Sequence, residues 1–339
     1  MLPKPTYSIL LFALLGMSSC QYLPDLVNHP TPSAPKIVPF VENLIAPLGI
    51  ESDAHGRLWI TEAGTGLNSD GQLSLITQQG KVYPVITGFA SQVSPEGAVF
   101  GLNHLLLKDN ILYMLHGVEG RLYKFDISTF TPGNAPLHAD QIAYEDIGSF
   151  VKAYEFEEDT DETDVFNLTV GPNGDLFIVD AAANAIIRRQ SSTGELSIFA
   201  TIPSIATQSE EIPSVEAVPT GIVFDGQQFL VCTFTGFPFP PKATIYQVDL
   251  TGHASVYQTG FSTLTDIELG IDKKPVVLEY GTWTGEGFTS NSGRFLRVTP
   301  GTYKELLPGL NFPNSLERSG HKTYFIAQTF DGLIQKITY

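Results

Sequence analysis

Residues 166–190 read FNLTVGPNGDLFIVDAAANAIIRRQ. A short apolar run leads into GPNGD, whose Gly, Pro and Asn favour a tight reversal. LFIVD follows, a run rich in β-formers, then the small residues AAANA, then a third run, AIIRR. Runs of five or six residues bounded by turn residues predict antiparallel strands joined by hairpins. ELSIFA (195–200) supplies a fourth strand.

The same unit recurs along the chain. LGIESDAHGRLWITEAGTG (48–66) is followed by GQLSLIT and KVYPV, and LNHLLLKDNILYMLHG (102–117) by GRLYKFDI. PTGIVFDGQQFLVCTFTG (219–236) precedes TIYQVDL and ASVYQ; LTDIELGIDKKPVVLEYG (264–281) precedes RFLRVTP and YKELL. PNSLERSGHKTYFIAQTFDG (313–332) precedes LIQKITY. Self-similarity at about 45–55 residues, with four short strands per repeat, is the signature of propeller blades. The expected fold is all-β, a six-bladed β-propeller over residues 36–339; a misread repeat would make it five or seven blades. The sixth unit lacks an outer strand, and KIVPFV (36–41) resembles the outer strands of other units. An N-terminal strand closing the last blade would remove two sheet edges.

Outside the repeats, the first 20 residues, MLPKPTYSILLFALLGMSSC, have one early Lys, an apolar run from Ile9 to Met17, and small residues before Cys20. This pattern predicts a lipoprotein signal peptide, too short to span a bilayer. Cys20 is the expected lipidation site, with an ordinary secretory peptide as the alternative. Residues 21–35 (QYLPDLVNHPTPSAP) read as a proline-rich tether. The expected location is extracytoplasmic, lipid-anchored to a bacterial membrane, or else periplasmic or secreted. The net charge of −17 argues against nucleic acid and leaves membrane attachment to the N-terminal lipid. With Cys20 lipidated, Cys232 is the only thiol left, and in FLVC it reads as a small core residue.

Residues 144–164 (YEDIGSFVKAYEFEEDTDETD) fit no blade. Ile147, Phe150, Val151 and Tyr154 have helical spacing, and the acidic half reads as a solvated loop without a glycine-punctuated calcium pattern.

In a propeller the innermost strands line the axis. Alignment on the second strands places Gly49, Asn103, Asn167, Thr220, Asp266 and Asn314 in one ring. A second ring holds Glu62, His116, Asp180, Thr233, Glu279 and Gln328, at the ends of the second strands. Such polar rings can simply satisfy one another and the inner backbone. They can also hold a small polar ligand, or a hard cation such as Ca2+ on oxygens of Asn103, Asn167, Asp266 and Glu279. A cation there could polarise a lactone or ester carbonyl, with Asp180 or Glu62 as base. His116, a lone inner histidine, reads as structural. The chain has no GxSxG, HExxH, CxxC or P-loop pattern. The sequon at 167–169 lies on an inner strand and is discounted.

TFTGFPFPPK (233–242) leaves the second strand of the fourth unit at the channel mouth. Its prolines predict a loop of fixed shape. Phe234 and Phe237 are expected to wedge between blades, and Phe239 to present the exposed contact.

PLGIESDAHGRLWITEAGTG (47–66), VPTGIVFDGQQFLVCTFTGFPFPP (218–241) and GFSTLTDIELG (260–270) together resemble the ScyD/ScyE family, propellers typified by proteins encoded in scytonemin gene clusters. The resemblance covers roughly residues 36–339 and implies a six-bladed propeller related to NHL, TolB-like and SMP-30/gluconolactonase propellers. It carries over no catalytic residues. Where that family has a DSNPYG-type string, this chain reads DETDVFNLTVG. Gluconolactonase relatives imply a metal-binding triad, for which Glu51, Asn167 and Asp266 are the matching positions. The expected function is binding of a small molecule, glycan or protein at one propeller face. The alternatives are a metal-dependent lactone or ester hydrolase and an accessory role in aromatic pigment synthesis.

Overall fold

A computed structural model describes residues 35–94, 97–117, 119–158 and 160–338. The expected signal peptide, tether and lipidated Cys20 lie outside the described residues. Six sheets surround one axis, each an antiparallel meander that steps outward from an inner strand. The inner strands are Pro47–Ser52, Leu102–Lys108, Val165–Val170, Pro219–Phe224, Leu264–Leu269 and Pro313–Arg318, for blades 1 to 6. In blade 6, Lys36–Val41 pairs antiparallel with Leu333–Thr338 and becomes the outermost strand, so the N-terminal strand closes the ring as expected.

Local chemistry sets the turns. In blade 1 the Asp53 carboxylate accepts from the His55 and Arg57 amides and from Trp59 Nε1, fixing the first hairpin. In GPNGD, Asn173 and Gly174 adopt positive φ, 60° and 76°, which Asn and Gly tolerate best. The core lies between neighbouring blades. Trp59, Leu73 and Phe89 of blade 1 pack on Leu112, Met114 and Phe125 of blade 2; Phe177 and Val179 of blade 3 pack on Phe229 and Val231 of blade 4. Cys232 is fully buried between blades 4 and 5, as read from the sequence.

Residues 144–164, expected to fit no blade, hold one departure beside the expected helix. Tyr144–Asp146 is the outer strand of blade 2, so that blade is complete. The helix is present at Gly148–Lys152, with Ile147 and Val151 buried. The sequence misplaced the strand because YED has no apolar alternation. Leu137–His138 adds a parallel fifth strand to blade 1.

Candidate functional site

All six inner strands begin alike. The first residue of each pairs with the last residue of its second strand: Pro47 with Glu62, Leu102 with His116, Val165 with Asp180, Pro219 with Thr233, Leu264 with Glu279, and Pro313 with Gln328. Pairing then slips within the next three residues in every blade. A bulge leaves extra residues unpaired against the partner and re-aims side chains. Consecutive residues therefore both reach the channel.

This bulge corrects the ring inferred from sequence. Asn103, Thr220 and Asn314 occupy a mouth layer with Leu48, Phe166 and Thr265, and all six line one wide cavity. Asn167 and Asp266 lie one residue further along and line a separate, narrower cavity with His104 and Ser315. Gly49 and Gly221 occupy the same second layer. A Cβ on Gly221 would stand 2.8 Å from Cys232 Sγ and 3.0 Å from the Ile267 nitrogen, so blade 5 leaves no room for a side chain.

The second ring does come to equivalent positions, but its side chains serve the backbone and line neither cavity. Glu62 accepts from the Ile45 amide at 2.7 Å, Asp180 from the Asp164 amide at 2.8 Å, and Glu279 from the Ser262 amide at 2.9 Å. His116 Nε2 bonds the Ala90 carbonyl at 2.9 Å, and Gln328 donates to the Asn311 carbonyl at 2.9 Å. Thr233 Oγ1 accepts from the Thr244 amide at 3.0 Å. Apart from Thr233, whose partner belongs to the third strand of its own blade, each ties down the loop that feeds an inner strand. Glu279 also pairs with Arg294.

The second and third layers form an acidic throat. Asn167 Nδ2 donates to Asp266 Oδ1 at 3.0 Å and to the Thr220 carbonyl at 3.2 Å. Asp266 also accepts from the Ile267 and Leu316 amides. Below lie Glu51, Glu268 and Glu317, in the same cavity of about 60 Å³. Burial raises Asp266 to about 7. Burial and mutual repulsion push Glu51 and Glu268 well above the usual carboxylate range, and burial raises Glu317. His104 is buried and its pKa falls to about 3, so it is neutral. The three positions matched to a metal triad, Glu51, Asn167 and Asp266, thus share one cavity. There the Asn167 amide nitrogen faces Asp266, and both Asp266 oxygens already accept hydrogen bonds. Among the described residues, no group of three or more His, Cys, Asp or Glu is spaced to hold a metal ion.

The mouth is a bowl of about 610 Å³. One wall is aromatic. Phe234 meets Tyr280 at 5.4 Å and Phe239 at 5.8 Å between ring centroids; Phe239 meets Trp283 at 5.0 Å and Phe288 at 5.3 Å; Tyr280 meets Phe312 at 5.1 Å. These are the tilted and edge-on contacts favoured by aromatic quadrupoles. The roles expected for Phe237 and Phe239 are exchanged. The Phe239 amide closes a turn on the Gly236 carbonyl at 2.8 Å, which folds Phe239 over the bowl and leaves Phe237 71% exposed at the turn's tip. Phe234 lines the bowl as well.

Sequence reasoning missed the bowl's two acidic groups. Asp164, last of the acidic run, precedes the inner strand of blade 3 and lines the bowl. Asn103 Nδ2 donates to its Oδ1 at 2.8 Å. Loss of surrounding water and the nearby Asp180 charge raise Asp164 to about 7, against the lowering effect of Asn103. Glu216 precedes the inner strand of blade 4 and also lines the bowl; burial and the charges of Glu162 and Glu158 raise it. Tyr280, pushed up to about 12 by burial, remains a neutral donor. The available signal was position: an acidic residue at or near the entry to an inner strand.

The arrangement defines a six-bladed propeller with an aromatic bowl at the end where inner strands begin. No protein-family model and no curated protein sequence matches the chain. Solved structures do match in fold. A Bacteroides thetaiotaomicron protein of unknown function aligns at 12% identity and TM-score 0.60, over 90% of this chain and 76% of that one. A catalytically inactive virginiamycin B lyase from Staphylococcus aureus, solved with quinupristin, aligns at 16% identity and TM-score 0.51, over 90% and 99%. The PQQ-bound aldose sugar dehydrogenase from Streptomyces coelicolor aligns at 12% and 0.58, over 91% and 99%. The chain is a distant structural relative of these propellers; at such identities the likeness concerns the fold and does not single out the ScyD/ScyE family.

Proposed function

We propose that the protein is a small-molecule enzyme whose bowl binds a compact, largely apolar substrate and whose Asp164 moves a proton to or from it. The observation that carries this reading is the placement of a carboxyl with a pKa of about 7 on the wall of a cavity of about 610 Å³. A group poised near neutral pH donates and accepts protons with least penalty. A concave, mostly apolar cavity with a few convergent polar groups is the usual form of a ligand site. The enzymes among the fold relatives are in keeping with catalysis on this scaffold, although fold alone does not specify a reaction.

The reaction class that fits is opening of an ester or lactone. Asp164 would take a proton from an attacking water and return it to the leaving oxygen. Tyr280, Thr265 and Asn314 line the same bowl with polar groups able to bond a carbonyl oxygen. The aromatic wall favours an aryl or alkyl ester over a sugar lactone. The throat residues Glu51, Asn167 and Asp266 could still hold a divalent cation, but no step here requires one. We place the protein outside the cytoplasm, anchored through Cys20. Lys36 sits beside Thr338 at the end of blade 6 opposite the bowl.

Turnover of a panel of aryl esters and lactones, followed in wild type and Asp164→Asn, tests this. Expected is saturable turnover that falls at least 100-fold in the variant while binding persists. Equal rates in the two proteins would overturn the assignment.

A further inference from the structure

We propose that the bowl selects ligands that pair an aromatic or flat apolar ring with a cationic amine, and that it rejects carboxylates of the same size. This rests on the small-molecule reading above and specifies its ligand class. The first ground is charge. Two acidic side chains, Asp164 and Glu216, line the bowl, and among the described lining residues there is no Lys, Arg or His. Glu158 and Glu162 stand close enough to Glu216 to raise it, so the negative field continues behind the rim. The nearest candidate counter-charge on the aromatic loop, Lys242, donates to the Ala206 carbonyl at 2.7 Å and lies outside the lining. An anion entering the bowl would lose water and meet two like charges, and the neutral lining groups Tyr280, Thr265 and Asn314 offer it hydrogen bonds but no counter-charge. Hydrogen bonds without a counter-charge compensate its desolvation less well than the carboxylates compensate that of a cation.

The second ground is juxtaposition. Gly236, at the base of the aromatic loop, donates its amide to the Glu216 carbonyl at 2.8 Å. A Cβ built on Gly236 would lie 3.3 Å from Glu216 Cβ, so the acidic rim and the aromatic wall are shoulder to shoulder. Phe234, Phe239 and Tyr280 present π systems to the cavity, and these attract a cation placed over their faces. An ammonium group between that wall and Glu216 gains both interactions, while its ring lies against the apolar lining residues, among them Leu48, Phe100 and Phe166.

Isothermal titration with 4-phenylbutylamine, 4-phenylbutanol and 4-phenylbutyrate at pH 7.5 tests the inference, since the three differ only in head group. The amine should bind at least tenfold more tightly than the carboxylate, with the alcohol between. Glu216→Gln should close most of that gap, and Phe239→Ala should weaken all three. Glu216→Lys, a surface change, should reverse the order. Equal or tighter binding of phenylbutyrate to the wild type would overturn the charge preference and leave the bowl as a ligand site. Binding of none of the three would overturn the small-molecule reading along with it.

Discussion

Asn103 Nδ2 lies 2.8 Å from Asp164 Oδ1 and 2.9 Å from the Val165 carbonyl, so one side chain of blade 2 holds both the acid of blade 3 and the strand that follows it. The bond favours the charged carboxylate and opposes the burial that raises Asp164. Asn103→Leu should therefore move the Asp164 titration upward from about 7. The acidic limb of the pH–rate profile, where the base becomes protonated, should shift alkaline by about half a unit or more. A variant that lowers activity with an unshifted profile would mark Asn103 as a purely structural tie.

The throat makes a second prediction, about stability. Asp266, Glu51, Glu268 and Glu317 all have folded pKa values above the ordinary ones. Between about pH 4 and 7 the native state therefore keeps protons that the unfolded chain has released, and stability falls as pH rises through that window. Asp53, Asp175 and Glu145 are lowered and act oppositely, losing their contribution only in acid. The melting temperature should be higher at pH 5 than at pH 8. Glu268→Gln should raise stability at pH 8 by about 1 kcal/mol, a modest figure because solvent partly reaches this side chain. A melting temperature that climbs steadily from pH 5 to 8 would contradict this account.

Most of the architecture was legible because it repeats. Turn residues and apolar runs recur six times, and the outer strand missing from the last repeat had one candidate, at residues 36–41. The ends of the second strands aligned in all six blades, since period-two strands carry no insertions. The channel was harder. The bulge at the start of each inner strand adds a channel-facing residue without any compositional mark, so Asn103 and Asn167 looked equivalent while lying in successive layers. Asp164 was hidden for a different reason. It ends an acidic run that reads as solvated, and only the packing of blade 2 against blade 3 shows that Asn103 reaches it.

Ring closure depends on Lys36–Val41, whose Phe40 packs on Phe325 with centroids 5.0 Å apart and whose Val41 is buried. Removal of residues through 41 should bare the Leu333–Thr338 edge and the side chains of Ile334 and Ile337 beneath it. Exposed strand edges invite intermolecular pairing. The truncated protein is expected to melt well below a chain beginning at residue 35 and to elute as oligomers in size-exclusion chromatography. A monomer of unchanged melting temperature would show that the sixth blade is stable with three strands.

Cys232 supplies a test of the inter-blade core. Its thiol is fully buried between blades 4 and 5, and burial raises its pKa far above the ordinary value, so the reactive thiolate is suppressed. In native protein from which Cys20 has been removed, Ellman's reagent should find almost no thiol, and in denaturant about one per chain. Gly221→Ala, which forces a Cβ against Cys232 Sγ and the backbone of blade 5, should lower stability by about 1–3 kcal/mol. It should also quicken thiol labelling under native conditions. Prompt labelling of the unmutated protein would show that blades 4 and 5 part readily.

The two phenylalanines of FPFPP separate surface from site. Phe237 is 71% exposed at the tip of its turn, and its ring meets Phe239 edge-on at 5.7 Å. Phe239 sits inward against Trp283, Phe288 and Phe234 and forms part of the bowl wall. Phe237→Ala should change stability by less than about 0.5 kcal/mol, as exposed substitutions generally do. Phe239→Ala removes contacts with four rings and should cost about 1–3 kcal/mol, less than a fully buried Phe, because one side faces the cavity. It should also alter the fluorescence of Trp283, the neighbour 5.0 Å away, and abolish any change in that fluorescence on ligand binding. The single variants should therefore differ in both melting temperature and ligand affinity. If Phe237→Ala instead weakens binding as much as Phe239→Ala does, the ligand reaches over the rim, and the site extends beyond the bowl onto the outer face of the loop.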